Sequence, residues 1–206
     1  MNSIKQIEVI YNNRLVGRLA LTREGLCAFE YSAEWLSSGF SISPFELPLR
    51  SGVFIAKPRP FEGGFGVFDD CLPDGWGLLI LDRYLQHKGI NPRTLTLLDR
   101  LALVGSTGRG ALEFRPDNSV VTRQDFADFE KLALEAEKIL ASDDYMGEGI
   151  EEFQDRGGSP GGARPKIFVR YNDKEWLVKF RAKRDSQSIG VDEYRYSLLA
   201  KECGIE

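Results

Sequence analysis

Gly157-Gly158-Ser159-Pro160-Gly161-Gly162-Ala163-Arg164-Pro165-Lys166 runs directly into Ile167-Phe168-Val169-Arg170-Tyr171, then Asn172-Asp173, then Lys174-Glu175-Trp176-Leu177-Val178-Lys179-Phe180. The segments on either side of Asn172-Asp173 read as two strands joined by a turn. If those two residues are the whole turn, paired positions sum to 345 and Lys166 lies directly opposite Lys179; a four-residue loop would shift that register. Like charges facing each other across a ladder are destabilising. An anion between them, such as a nucleotide phosphate, removes that penalty; two solvated strand lysines are the plainer alternative. The glycine stretch is not a Walker loop, because Ala163 and Arg164 follow Gly157-x4-Gly162 where Lys and Ser/Thr are needed, and no three of its glycines have G-x-G-x-x-G spacing. What remains is general: glycines let backbone N–H groups approach phosphate oxygens, and the strands behind them supply cations. Taken alone, a loop with four glycines is more often a turn.

Downstream, residues 181–190 form a polar loop, and the spacing predicts a helix from about Val191 to Cys203 stopped by Gly204. Val191, Tyr194, Leu198 and Leu199 make its apolar side, and Glu193 stands one turn before Ser197. A glycine loop, a strand lysine and a glutamate on the next helix are the parts with which a protein kinase holds ATP phosphates. A solvated surface glutamate is the alternative for Glu193.

Upstream, Gln6–Val9 and Tyr11 lead through Asn12-Asn13 into Leu15-Val16-Gly17-Arg18-Leu19, a hairpin with an asparagine turn, and 26–31 add a third strand. Ser32 caps one helical turn containing Trp35. Phe45-Glu46-Leu47-Pro48-Leu49 alternates, but Pro48 lacks a donor and confines it to an edge or to irregular extended chain. A helix is expected from Gly75 to about Gln86, buried through Trp76, Leu79, Ile80 and Tyr84. A second, from about Thr94 to Val104, presents Leu97, Leu98, Leu101 and Val104 on one side. Glycines 105–110 then turn into a strand over 111–114, ended by Pro116. The clearest helical periodicity spans 123–141, with Phe126, Phe129, Ala133, Ala136 and Leu140 on one face. Residues 143–155 read as an acidic connector.

These elements predict an α+β chain with a small β-rich N-terminal subdomain over 1–116, a linking helix and acidic connector over 117–156, and a second unit over 157–206. The 206 residues, 42% hydrophobic and 28% charged with a net charge of −4, suffice for real cores without disulfide or metal staples. Three scattered cysteines (Cys27, Cys71, Cys203) and the single His87 leave no zinc spacing, so no metal site is expected. A Ser-His-Asp or Cys-His triad could pivot only on His87, which stands where a helix ends and a cation suits the last carbonyls. No apolar run reaches the roughly 18 residues that a membrane span needs. Unpaired cysteines suit a reducing compartment, so a soluble cytoplasmic protein is expected. Residues 124–155 carry 11 acids and 2 bases, and 156–206 carry 11 bases and 7 acids. That tail is too weakly basic to predict direct nucleic-acid binding.

Several motifs, in order, resemble the HipA family of bacterial toxin-antitoxin serine/threonine kinases. They are Phe45-Glu-Leu-Pro-Leu49, Cys71-Leu-Pro-Asp-Gly75, Val104-Gly-Ser-Thr-Gly-Arg-Gly-Ala-Leu-Glu-Phe114, Gly158-Ser-Pro-Gly-Gly-Ala-Arg-Pro-Lys166, Val178-Lys-Phe180, Asp192-Glu-Tyr194 and Leu199-Ala-Lys-Glu-Cys-Gly204. The resemblance implies a β-rich subdomain followed by the start of a kinase N-lobe at 157–206, and a nucleotide site at Gly161, Gly162, Ala163, Arg164, Lys166 and Lys179, with Glu193 as the partner of the strand lysine. It places on Ser159 the serine that some members autophosphorylate to switch themselves off. ATP and magnesium are the implied cofactors of the complete kinase. A DNA-binding antitoxin and a protein substrate are its implied partners, and growth arrest and persistence its implied outcome.

The family's chain runs to about twice this length, with a catalytic-loop Asp-x-His-x-x-Asn and a later metal-binding aspartate expected beyond residue 206. His87 is the only histidine here, and Leu85 stands two residues before it. No catalytic residue is therefore expected in this chain, and alone it should transfer no phosphate. It reads as the N-terminal portion of such a kinase, either a fragment or a chain working with a partner. The rival is a noncatalytic split-off protein that regulates a separately encoded kinase core. A third reading is an unrelated anion-binding α+β protein.

Overall fold

A computed structural model describes residues 3–119, 128–142, 145, 147, 149–157 and 162–205. The amino-terminal part is a five-stranded antiparallel sheet in the order β4-β3-β2-β1-β5, built from β1 (Gln6–Tyr11), β2 (Arg14–Leu21), β3 (Cys27–Tyr31), β4 (Val53–Ile55) and β5 (Glu113–Arg115). Asn12 and Asn13 both adopt positive φ, 47° and 60°, the conformation that a tight two-residue hairpin demands. Ser32 caps α1 (Ala33–Ser38) by accepting the Trp35 N–H. The Phe45–Leu49 stretch is irregular with one isolated bridge, Ser43 to Leu47; Leu47 is buried while Phe45 is fully exposed. Strand β4 and the short α2 (Gly66–Asp69) complete this part. Pattern reading of the sequence gives neither, since three or four residues carry too little periodicity.

One sheet face packs under α4 (Leu97–Val104), whose Leu98, Leu101 and Val104 join Val9, Leu19, Phe29, Phe68 and Phe114 in a first core. A capping box between Thr96 and Asp99 starts this helix. Asp99 also accepts the Ile4 N–H at 2.9 Å, tying the entrance of β1 to the helix.

A second core forms elsewhere. It gathers Trp76 and Ile80 of α3 (Gly75–His87), Leu132, Ala136 and Ile139 of α5 (Phe129–Ala141), Ile150 and Phe153 of α6 (Gly149–Gly157), Ile167 and Val169 of β6 (Lys166–Tyr171), and Phe180 just after β7 (Lys174–Lys179). Trp76 meets Phe153 edge-on at 5.0 Å between ring centroids, and Phe153 meets Phe180 at 5.8 Å. Arg83, itself buried, donates to the Ile139 carbonyl at 2.7 Å near the carboxyl end of α5.

Two expectations about these helices are corrected. On α5 the expected Ala136 is buried and Ala133 and Leu140 pack partly against the core, but the centre of the buried stripe is Leu132, Ala136 and Ile139, and Phe129 is 42% exposed because the neighbours of α5 present their apolar groups to the other side. Phe126 lies outside the described residues. Much of the acidic connector is α6: Ile150 and Phe153, three residues apart, are buried and hold it as an amphipathic helix whose other face carries Glu151 and Glu152. Finally, α7 (Ile189–Glu202) forms where expected, but none of its residues is buried; Val191, Tyr194, Leu198 and Leu199 all stay open to solvent. Among the described residues no helix is long and apolar enough to cross a membrane.

Candidate functional site

Strands β6 and β7 pair antiparallel with Lys166 opposite Lys179, Ile167 opposite Val178 and Tyr171 opposite Lys174. Asn172 and Asp173 are the whole turn, with φ 51° and 56°, so the register is the one that a two-residue loop imposes. Ile167, Val169 and Val178 share one face and turn toward the second core. The opposite face carries Lys166 and Lys179. The Phe180 N–H donates to the Pro165 carbonyl at 2.8 Å and extends the ladder one step beyond the lysine pair.

The two lysines differ in setting. Lys166 is buried, and a Cβ on Gly162 would stand 3.1 Å from its Nζ, so Gly162 packs directly against it. The Lys179 side chain is half exposed and its Nζ lies 3.1 Å from Glu193 Oε2 on α7. Arg164 reaches the same carboxylate, Nη1 to Oε1 at 3.2 Å, while its Nη2 donates to Asp185 Oδ1 at 2.9 Å. Asp185 in turn accepts the Ala182 N–H, which fixes the loop between β7 and α7. Two cations and two carboxylates thus converge beside the exit of the glycine segment, with Lys166 opposite Lys179 in the ladder.

The end of that segment is held from the other part of the molecule. The Gly162 N–H donates to Asp74 Oδ1 at 2.9 Å, and its carbonyl accepts the Trp76 N–H at 3.0 Å. Gly75 lies between them at φ +45°, and a Cβ there would come within 2.6 Å of both the Gly162 carbonyl carbon and oxygen. Only glycine accommodates that approach at that φ. Asp74 precedes α3 yet makes no capping bond to its own helix. It forgoes a contact usually worth about 0.5–2 kcal/mol and spends its carboxylate on Gly162. A second strut comes from Arg109, which lies 3.4 Å above the Phe168 ring and pairs with Glu175 at 2.7 Å.

Asp74 also lines two cavities of about 580 and 320 Å³, neither lined by Lys166 or Lys179. Cys71 borders the smaller one, with its thiol pushed up to about 11 by burial and then by the neighbouring Asp70 charge. At neutral pH it is a neutral thiol, not a nucleophile. Burial, followed by Glu62 and Asp70, also raises Asp69.

The structure therefore brings Gly162, Arg164, Lys166, Lys179 and Glu193 together, with Ala163 between the first two. Gly161 and Ser159 lie outside the described residues. Asp74, Gly75 and Arg109 were missed as site residues, because Asp74-Gly75 reads locally as a turn before a helix, and nothing in spacing links it to Gly162, 88 positions away. Their positions inside the Cys71–Gly75 and Val104–Phe114 motifs were the available signal.

These features define an α+β protein in which an antiparallel-sheet domain grips a glycine segment leading into a lysine-bearing hairpin. The model of the HipA N-terminal domain matches residues 7–115, just over half of the chain, and the chain belongs to the HipA family. No curated protein matches the sequence.

Proposed function

We propose that this chain is the N-terminal portion of a HipA-like serine/threonine kinase toxin of a toxin-antitoxin pair, and that residues 162–193 hold the phosphates of ATP. The observation that carries this reading is the Lys166–Lys179 pair: two cations on one face, directly opposite, with Gly162 against Lys166. That donor set fits a polyphosphate, since ammonium groups and glycine amides favour anionic oxygens. Glu193 orients Lys179, as the glutamate of a kinase helix does for its strand lysine. ATP would supply the phosphoryl group. Magnesium and the catalytic aspartate belong to the part of the kinase that this chain does not supply, and the acceptor is a protein hydroxyl. A DNA-binding antitoxin is the proposed partner; with a net charge of −4, this chain itself is not proposed to bind DNA.

The exposed side of α7 favours a closely related second reading. Val191, Tyr194, Leu198 and Leu199 present apolar side chains to solvent that a kinase core would cover. Supplied by a separate chain, that core would make this polypeptide a noncatalytic regulatory subunit.

Calorimetric titration with ATP, inorganic triphosphate and AMP tests the shared element. Binding of ATP and triphosphate, with AMP weaker, is the expected result. No binding of triphosphate or ATP refutes the phosphate site under both readings.

A further inference from the structure

The structure assigns Asp74, together with Gly75 and the Trp76 N–H of α3, as a positioning clip through which the N-terminal domain fixes the backbone at Gly162. This rests on the nucleotide reading above and deepens it: the domain becomes part of the phosphate site without touching phosphate.

Both polar groups of one peptide residue are claimed by one short segment, Gly162 N–H by Asp74 Oδ1 and Gly162 C=O by Trp76 N–H. A segment held on both sides cannot rotate about that residue. The holder is itself anchored, because the Trp76 side chain is buried in the second core against Phe153. Gly75 adds a steric condition, since its backbone lies closer to Gly162 than any side-chain-bearing residue permits. Gly162 has φ +94°, a conformation open to glycine, and in the absence of the clip such a residue samples many others. Fixing it in advance holds the Gly162 peptide beside Lys166 and removes an ordering cost from phosphate binding. Asp74 is exposed, so replacing it removes little packing.

The test compares the full chain with Asp74→Asn, which keeps an acceptor oxygen at the same position, Asp74→Ala, which removes it, and Gly75→Ala, which drives a methyl into the Gly162 carbonyl. Amide hydrogen exchange at Gly162, with the β1–β2 hairpin as internal reference, reads the clip; ATP titration reads its consequence. In Asp74→Ala, Gly162 exchange should rise and ATP affinity should fall roughly tenfold, the cost of ordering one residue's backbone at the moment of binding, with hairpin protection unchanged. Asp74→Asn should retain most of both. If Gly162 exchange is unchanged in Asp74→Ala, the clip does not exist. If exchange rises but ATP affinity equals the parent's, the contact is structural only and the positioning role is wrong. If the parent itself binds no ATP, the nucleotide reading fails and takes the positioning role with it, whatever the exchange data give. Should Gly75→Ala fail to fold, the two Asp74 variants still decide.

Discussion

Replacing Lys179 with alanine separates a binding role from a structural one. In the folded chain the Lys179 side chain is 50% exposed and has one ion pair, to Glu193 at 3.1 Å. Exposed pairs of this kind contribute about 0.2–1 kcal/mol. The alanine variant also removes one of two like charges facing each other across the ladder, which offsets part of that loss. Stability should therefore fall by less than about 1 kcal/mol, a Tm shift of at most about 2–4 °C in a chain of this size. A charge-assisted bond to a phosphate oxygen is worth about 1.5–3 kcal/mol, or roughly tenfold to a hundredfold in Kd. Calorimetric titration with ATP, beside thermal unfolding of the same samples, gives both numbers. Equal ATP affinity for variant and parent refutes the assignment of Lys179. A large loss of Tm without loss of affinity refutes the estimate of its structural role.

Other outcomes follow from the same geometry. Burial raises the Asp99 carboxyl, but hydrogen bonds from the Ile4 N–H and from Thr96 outweigh it and leave the group below the ordinary carboxylate value. A folded-state pKa lowered in this way stabilises above the unfolded value and is lost as pH falls through the folded one. Asp99→Ala should thus cost about 1–3 kcal/mol at neutral pH and flatten the acid limb of a stability-versus-pH curve measured by urea unfolding. Cys27 and Cys71, both raised to about 11, first of all by burial, should expose about one thiolate in a thousand at pH 8; a disulfide reagent should therefore label exposed Cys203 first. Trp76→Ala should cost about 3–5 kcal/mol in denaturant unfolding, since it empties the centre of the second core. The 206-residue chain with labelled ATP and magnesium should transfer no phosphate; transfer abolished by a point substitution within it would overturn the proposal.

The elements that the sequence made legible are those whose local chemistry is strong. Two positive-φ turns at Asn12-Asn13 and Asn172-Asp173 set two hairpin registers, and the second alone brings Lys166 opposite Lys179. The Thr96–Asp99 box starts α4 where Leu98, Leu101 and Val104 can face the sheet. Legibility fails where the deciding partner is distant. The side of α5 that is buried depends on α3 and α6, so Leu132 and Ile139 win over Phe129 although all are apolar. Helix α6 hides under its glutamates because, among the described residues, its buried apolar side chains are just Ile150 and Phe153. For the site, residue types gave the cations and Glu193, whereas the bond from Gly162 to Asp74 spans 88 positions and leaves no periodic trace.

Helix α3 ties the N-terminal domain both to Gly162 and to the second core. Its sequence lies inside the matched range 7–115, but Trp76 and Ile80 pack among residues 132–180. Its amino end carries the three contacts to Gly162, and its carboxyl end reaches α6 through Lys88 and His87, both beside Glu151. Between α3 and the sheet, Arg100 of α4 pairs with Asp82 at 3.0 Å. The helix is therefore fastened to the first core by its polar side and to the second by its apolar side. A shift of the sheet domain relative to the hairpin must break either the Trp76 packing or the contacts that hold α3 to the sheet side, among them the Arg100–Asp82 pair. Breaking the tryptophan packing costs about 3–5 kcal/mol, while a partly exposed ion pair contributes about 1 kcal/mol or less. The cheaper separation therefore leaves α3, with its contacts to Gly162, on the hairpin side.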